Sequence, residues 1–489
     1  MKVAIIGTGF AGFGSTTALS DDPDIEIEIF DIGLTSKLPA QPDYPVPNAK
    51  MHQGSFFTYG INDPRWSVDL DSKRICSSHA LGGHSTVYSG AMLYPKETDL
   101  EEWPLESRPI AEDYQNVISQ FNILSADDEL QKEFPVIPDK DNLAKKHGPE
   151  DLAILGFSRI ACELNSSSVN KKNNIFSTKS YFNNLLHQRK VKYWAPVFVI
   201  KIERIKNKLR ILYENDKDDQ NWSDEFDAVL LGAGCINTTG IVDRSLFREG
   251  TREYFLQSPV GLFSAFFRLK SSIEEDHRIR RIANFPEFFL EIKSKITSQT
   301  WSHTQITAIN EQIILFISAK FPFFKNIISK FFKNYVYFAS TILHSKFGKS
   351  TSLKICTVKS NTGKLQHSVC VKELDVTIET IKKYSFIHRA VIKNWKRLTM
   401  IPIPFGGLIA DFLRENKLGG WHFGGTLPMS KSPRISQCYS SGEIKGLRGV
   451  YVIDSAAFPE IPGSTIALLI SAHAHRVARQ LKDNFLRNT

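Results

Sequence analysis

Cysteine is sparse and unpatterned in this chain. The 489 residues hold six (Cys76, Cys162, Cys235, Cys356, Cys370 and Cys438), and no two stand in a C-x-x-C pair. That spacing gives neither a zinc site nor a disulfide framework, so a reducing compartment is expected and no metal is. No run of about eighteen uncharged apolar residues occurs, which argues against a membrane-spanning helix. The first apolar strand is read from residue 2, which leaves no room for a cleavable signal peptide. A cytoplasmic protein is expected, free or attached peripherally at the inner membrane surface. Charge of one sign is also scarce: 61 Lys+Arg against 52 Asp+Glu leave a formal net charge of +9. Spread over this length, that excess is a solvated basic surface, and no nucleic-acid partner is expected.

What is present is a substantial apolar and aromatic content, with 34 phenylalanines, enough for two or more domain-sized units or one discontinuous architecture. The most informative stretch is the first. Lys2-Val3-Ala4-Ile5-Ile6 is an apolar strand that runs into Gly7-Thr8-Gly9-Phe10-Ala11-Gly12, and a small-residue helix follows, about 11–20. Gly7 permits the tight reversal, Gly9 lets backbone approach a pyrophosphate, and Gly12 lets helix pack closely on strand. The helix N-terminus offers free N–H groups and a partial positive charge to phosphates. The next strand, Ile25 to Phe30, ends at Asp31, where a carboxylate would accept hydrogen bonds from an adenosine ribose. Taken alone, this element suits NAD or FAD equally.

Further along, Ser78 to Ala91 is dense in glycine and hydroxyls. Gly82 and Gly83 remove Cβ bulk, and Ser85 and Thr86 can donate to phosphate oxygens. Trp103-Pro104 leads into a helix starting near Ala111, and residues 120–170 read as loops and short helices. Val197, Val199 and Ile202 mark a strand that pairs with Leu209–Tyr213. Phe226 to Leu231 is a continuous apolar strand of buried parallel type. It ends in Gly232-Ala233-Gly234-Cys235-Ile236-Asn237-Thr238, a second tight turn into a helix. From 258 to 403 Phe, Ile and Lys dominate. There Phe266, Phe267, Phe285, Phe288 and Phe289 read as sheet residues of a second domain. Phe324, Ile327, Ile328, Phe331, Tyr335 and Phe338 recur at helical spacing opposite lysines. That helix either packs on its own domain or lies at a membrane surface through 320–340. The C-terminal part returns to glycine-flanked turns. Gly419 to Met429 carries His422, Asp454-Ser455 follows a strand, and Pro462-Gly463-Ser464-Thr465 opens a final helix at about Ile466.

Together these segments resemble the glucose–methanol–choline (GMC) family of flavin-dependent oxidoreductases. The resemblance rests on four motifs in order: Gly7-x-Gly9-x-x-Gly12 with Asp31; Leu81-Gly82-Gly83-x-Ser85 with Trp103-Pro104; Gly232-Ala233-Gly234-x-Ile236-Asn237-Thr238; and His422-x-x-Gly425-Thr426 with Asp454-x-x-x-x-Pro459. His422 to Met429 and Phe458 to Pro462 look most like the bacterial branch with sugar, sterol and polyol substrates. The implied fold is α/β, a Rossmann-like FAD-binding domain (1–115, 170–260 and 410–489) plus an α+β substrate domain with an antiparallel sheet (116–169 and 261–409). The resemblance implies FAD as cofactor. Gly7, Gly9, Gly12 and Asp31 would hold its ADP part, with Gly83, Ser85 and Gly234 along the pyrophosphate and flavin. Val199 would offer backbone to adenine, with Val197 the next choice. Asp454, Ser455 and the Ser464–Ile466 turn would border the flavin ring, and His422 would take the hydroxyl proton.

Two departures stand out. The family's second active-site position is usually His or Asn, and here Thr465 or Ser464 occupies it. The residue aligned with the histidine that some relatives link covalently to FAD is Val87, so the FAD is expected to be non-covalent. An alcohol or sugar oxidation follows, with no motif naming the electron acceptor. The alternatives are a non-redox flavoprotein, isomerase or lyase, on the same fold, or a membrane-surface binding protein.

Overall fold

The computed structural model describes residues 1–34, 56–58, 66–68, 72, 76–144, 151–164, 175–217, 219–247, 249–258, 261–268, 286–308, 335–347, 349–359, 365–373, 378–395, 400–403 and 422–488. Five strands form one parallel sheet: β1 (Lys2–Ile6), β2 (Glu26–Phe30), β3 (Lys192–Trp194), β4 (Ala228–Leu231) and β5 (Val450–Val452), in spatial order β5-β4-β1-β2-β3. β1 lies between β4 and β2, with Val3 level with both Ala228 and Ile27. Both β1 and β4 are buried on both faces, which is why their sequences are nearly continuous apolar runs.

Three helices build on this sheet: α1 (Phe10–Leu19), α2 (Cys235–Leu246) and α3 (Ala467–Asn488). The turn from β1 to α1 is three residues long, and Gly7 takes φ +96° in it. A Cβ on Gly7 would stand 2.5 Å from the Gly232 carbonyl oxygen, and one on Gly12 would stand 2.1 Å from the Gly7 oxygen. α1 packs directly on α3. A Cβ on Gly14 would stand 2.0 Å from the backbone oxygen of Ser471, and the Ser471 hydroxyl donates to the Phe10 carbonyl at 3.1 Å.

A six-stranded antiparallel sheet lies apart from the first. Its order is Met400–Pro402, Gly261–Arg268, Val336–Ile342, Trp301–Ala308, Phe288–Lys293 and Leu152–Phe157. Side chains alternate faces along a strand. Phe288, Leu290, Ile292, Ile306, Tyr337 and Ala339 therefore share one face, and they pack with Ile387 and Val391 of the helix Ile378–Trp395. Phe289 and Trp301 point the other way and join the core beneath the parallel sheet.

Two expectations change. Residues 120–170 hold more than loops and short helices, because Leu152–Phe157 is an edge strand of the six-stranded sheet. The helical spacing ending at Tyr335 and Phe338 does not continue as a helix: Val336–Ile342 is a strand paired on both sides. Its β-branched and aromatic residues fit a pleated surface flanked by two partners, and tertiary pairing overrides the weak local period. Phe324, Ile327, Ile328 and Phe331 lie outside the described residues, as does Phe285. Among the described residues no helix is long and apolar enough to cross a membrane.

Gly14→Ala is expected to destabilise the protein by about 1–3 kcal/mol, because backbone on α3 must move to admit the methyl group. Urea denaturation followed by tryptophan fluorescence measures this. An unchanged midpoint would mean that the α1–α3 crossing opens freely.

Candidate active site

The two glycine turns end in helix N-termini that have no side-chain cap. Gly9 is the N-cap of α1, and Gly234, at φ +85°, is the N-cap of α2. Unlike Gly7 and Gly12, a Cβ on Gly9 or Gly234 would meet no protein atom within 4 Å. Backbone amides with open space before them suit the oxygens of a pyrophosphate. Asp31 directly follows β2, as the ribose-binding role requires. Burial pushes its carboxyl up to about 7, against hydrogen bonds from Thr8, the Ile32 and Gly33 amides and Tyr193.

Thr8 ties these parts together. Its hydroxyl donates to the Asp31 carboxylate and accepts from the Gly82 N–H at 2.8 Å, while its carbonyl accepts from the Thr178 hydroxyl at 2.8 Å. The Gly82 loop is thereby fixed beside the first turn, and a Cβ on Gly83 would stand 3.2 Å from the Gly9 Cα. The Ser85 hydroxyl donates to the Gly82 carbonyl at 2.6 Å and accepts from the Thr178 N–H at 3.1 Å. The Thr86 hydroxyl likewise bonds the Gly83 carbonyl at 2.9 Å. Both hydroxyls close the loop, so what the loop offers a ligand is glycine backbone. Val199 is buried in the strand Val197–Ile205, next to a bulge where its register with Lys208–Asn215 shifts.

The C-terminal motifs converge on the same place. Asp454 accepts from the Gly234 N–H at 2.9 Å, from the Thr238 hydroxyl at 2.5 Å and from the Ala456 N–H at 2.9 Å. Burial pushes its carboxyl up to about 6 in spite of these bonds. The Ser455 hydroxyl donates to the Phe423 carbonyl at 2.6 Å, and the Gly425 N–H donates to the Ser455 carbonyl at 2.9 Å. Residues 422–425 are therefore pinned along 454–456. Trp103 explains the Trp-Pro motif: its indole packs on Phe458 at 4.6 Å and donates to the Glu460 carbonyl at 3.3 Å.

His422 is lowered to about 4, chiefly by burial and secondly by its electrostatic interaction with His303. Thr465 has its proton committed elsewhere, since its hydroxyl accepts from the Leu93 N–H at 2.8 Å and donates to the Leu93 carbonyl at 3.2 Å. Ser464 is buried with one long bond to the Thr465 carbonyl at 3.4 Å, and the Ile466 carbonyl receives the Ile470 N–H at 2.8 Å to open α3. Sequence reasoning missed a polar cluster on the six-stranded sheet: Glu291, His303 and Gln305. Strand alternation would assign Glu291 to the face shared with Phe289 and Lys293, but nothing in one strand says that this face is the buried one.

Residues 389–474 match the family model described as GMC oxidoreductase. Among solved structures, pyridoxine 4-oxidase from Mesorbium loti superposes with a TM-score of 0.57 at 13% identity, over 99% of both chains. A fungal aryl-alcohol oxidase superposes with a TM-score of 0.58 at 10% identity, again over 99% of both. No curated protein matches the sequence. The fold is thus the mixed α/β architecture of oxidases that belong to the GMC family. The family match in the C-terminal segment falls on the stretch that carries His422, Asp454 and Thr465, and it agrees with the resemblance that the four motifs carry.

Thr8→Val should leave the Gly82 N–H and the Asp31 carboxylate without their shared hydroxyl, at a cost of about 1–3 kcal/mol. Thr8→Ser should restore most of it. Urea midpoints for the two variants measure the difference, and equal midpoints would show that the hydroxyl bonds do not matter.

Proposed function

We propose that the protein is an FAD-dependent oxidoreductase that oxidises the CH–OH group of a small alcohol, with His422 as the base. The observation that carries this reading is the state of His422: an imidazole held neutral by its surroundings, on a backbone pinned to the Asp454–Ala456 turn. A neutral imidazole accepts a hydroxyl proton, and a charged one does not. The discontinuous FAD-binding part would comprise 1–115, 170–260 and 410–489, with 116–169 and 261–409 shaping the substrate side.

The residues present fit FAD. Gly9 and Gly234 offer amides with open approach, Asp31 stands at the ribose position, and Gly83 lies against Gly9. Val87 at the position of the covalent histidine makes the FAD non-covalent. When bound, FAD supplies the two-electron acceptor. The chain's own work is then to bind the alcohol, to orient its carbinol carbon and to hold the hydroxyl proton on the His422 imidazole. Thr465, bonded to Leu93 on both sides, leaves the acid–base work to His422. The structural neighbours named for pyridoxine and aryl alcohols favour a ring-bearing alcohol among the first compounds to try, alongside sugars, polyols and sterols.

Anaerobic mixing of the FAD-loaded protein with such a panel should bleach the flavin. His422→Ala should slow bleaching by roughly two to four orders of magnitude while FAD stays bound. Bleaching at full speed in that variant would remove His422 from the mechanism, and turnover without net flavin reduction would favour an isomerase or lyase. The pH dependence follows from the sign of the shift. A histidine lowered to about 4 keeps its base form at any higher pH, so the bleaching rate should stay flat from pH 8 down to about 5 and fall only near 4. A fall centred at 6.5 would place His422 in an ordinary aqueous environment.

A further inference from the structure

The buried face of the six-stranded sheet carries a polar relay that none of the four motifs includes. Glu291 and His303 stand level on neighbouring strands, and both are wholly buried. Burying a carboxylate and an imidazole is costly unless they meet. They do meet: Nδ1 of His303 bonds Oε1 of Glu291. Two residues further, on the same face of the strand, the side-chain nitrogen of Gln305 lies 3.2 Å from Nε2 of His303. Gln305 is the least covered of the three, so the relay runs outward from Glu291 to Gln305.

The chemistry of the three groups fixes their roles. A carboxylate only accepts, so Nδ1 carries the proton, and a neutral imidazole is left with a bare Nε2. That nitrogen accepts one N–H of the Gln305 amide. The amide is thereby held one way round, and among the described residues its carbonyl oxygen and second N–H take no further bond. The location is also defined. Ser302, the residue before His303, pairs with Gly463 of the Pro462–Thr465 turn, and a Cβ on Gly463 would stand 2.4 Å from the Trp301 carbonyl oxygen. His303 is close enough to His422 for the two rings to interact electrostatically.

We propose that Gln305 binds the oxygen-bearing end of the alcohol substrate across from His422, and that His303 and Glu291 are positioning residues that lock its amide. The inference rests on the reading of His422 given above. It supplies the second polar contact that Thr465, spent on Leu93, does not.

Benzyl alcohol, pyridoxine and glycerol serve as probes, titrated anaerobically into the FAD-loaded protein. Binding is read as perturbation of the flavin absorption bands, and turnover as bleaching. Gln305→Ala and Glu291→Gln should each raise the half-saturating concentration about tenfold or more, with the maximal bleaching rate changed by less than about threefold. The double variant should bind about as weakly as Gln305→Ala alone, because the three residues act through one amide. In histidine nitrogen NMR spectra, the signal lost in His303→Asn should belong to the Nδ1–H tautomer in the wild type, and Glu291→Gln should redistribute it.

Wild-type affinity in Gln305→Ala, an Nε2–H tautomer at His303, or no flavin perturbation by any probe would each overturn the proposal. The two readings fail differently. A protein that binds a probe through Gln305 but never bleaches loses the oxidoreductase reading and keeps this one. Normal binding in Gln305→Ala beside a slow His422→Ala does the reverse.

Discussion

The structure depends on a backbone-to-backbone contact between its first and last helices. Gly14 on α1 leaves no space for a side chain against Ser471 on α3, and the Ser471 hydroxyl reaches the Phe10 carbonyl. Two helices meet this closely only where one of them has no Cβ, and the contact sets where the N-terminus of α3 lies relative to the Gly7–Gly9 turn. From there the rest follows in order. β5 completes the sheet next to β4, Asp454 joins its end to the Gly234 turn, and the 422–425 segment is pinned along 454–456.

A second constraint is the way buried polar groups find partners. Each one buried without a bond would cost on the order of 1–3 kcal/mol, and the site holds many. Thr8, Ser85 and Thr178 are bonded into one set around the first turn, and Thr238 and Asp454 into a second around the Gly234 turn. The result is a set of loops whose side chains look inward and whose backbone looks outward. Rigid amides are what a polyanionic ligand requires, because they bind without being reorganised.

Much of this was legible in the sequence. β1, β2, β4 and the two glycine turns carry their own signals, since a parallel strand buried on both faces must be apolar throughout and a tight strand-to-helix turn must use glycine. His422 stood out for the same local reason, its glycine-flanked turn. Ser85 and Thr465 were located but assigned outward-facing work. Their real partners, Thr178 and Leu93, lie about ninety and more than three hundred and seventy positions away, at |i−j| of 93 and 372, and no local pattern reports such bonds. The strand Val336–Ile342 was hidden for a related reason: its two flanking strands are distant in sequence, and only pairing with them overrides the local period. Glu291, His303 and Gln305 were invisible because alternation shows that they share a face without showing which face is covered.

The meeting of α1 with α3 also has a bearing on how the chain is made. Its two contact residues are separated by more than four hundred and fifty positions, as Gly14 and Ser471 stand in the sequence. Translation at roughly 5–20 residues per second separates their synthesis by on the order of tens of seconds. During that time β1, β2 and α1 can form, but the apolar side of α1 that α3 covers has no partner. The nascent protein therefore carries α1 with one face uncovered for most of its synthesis. Closure of the Gly7–Gly14 region against α3 is accordingly a late event in the birth of the chain.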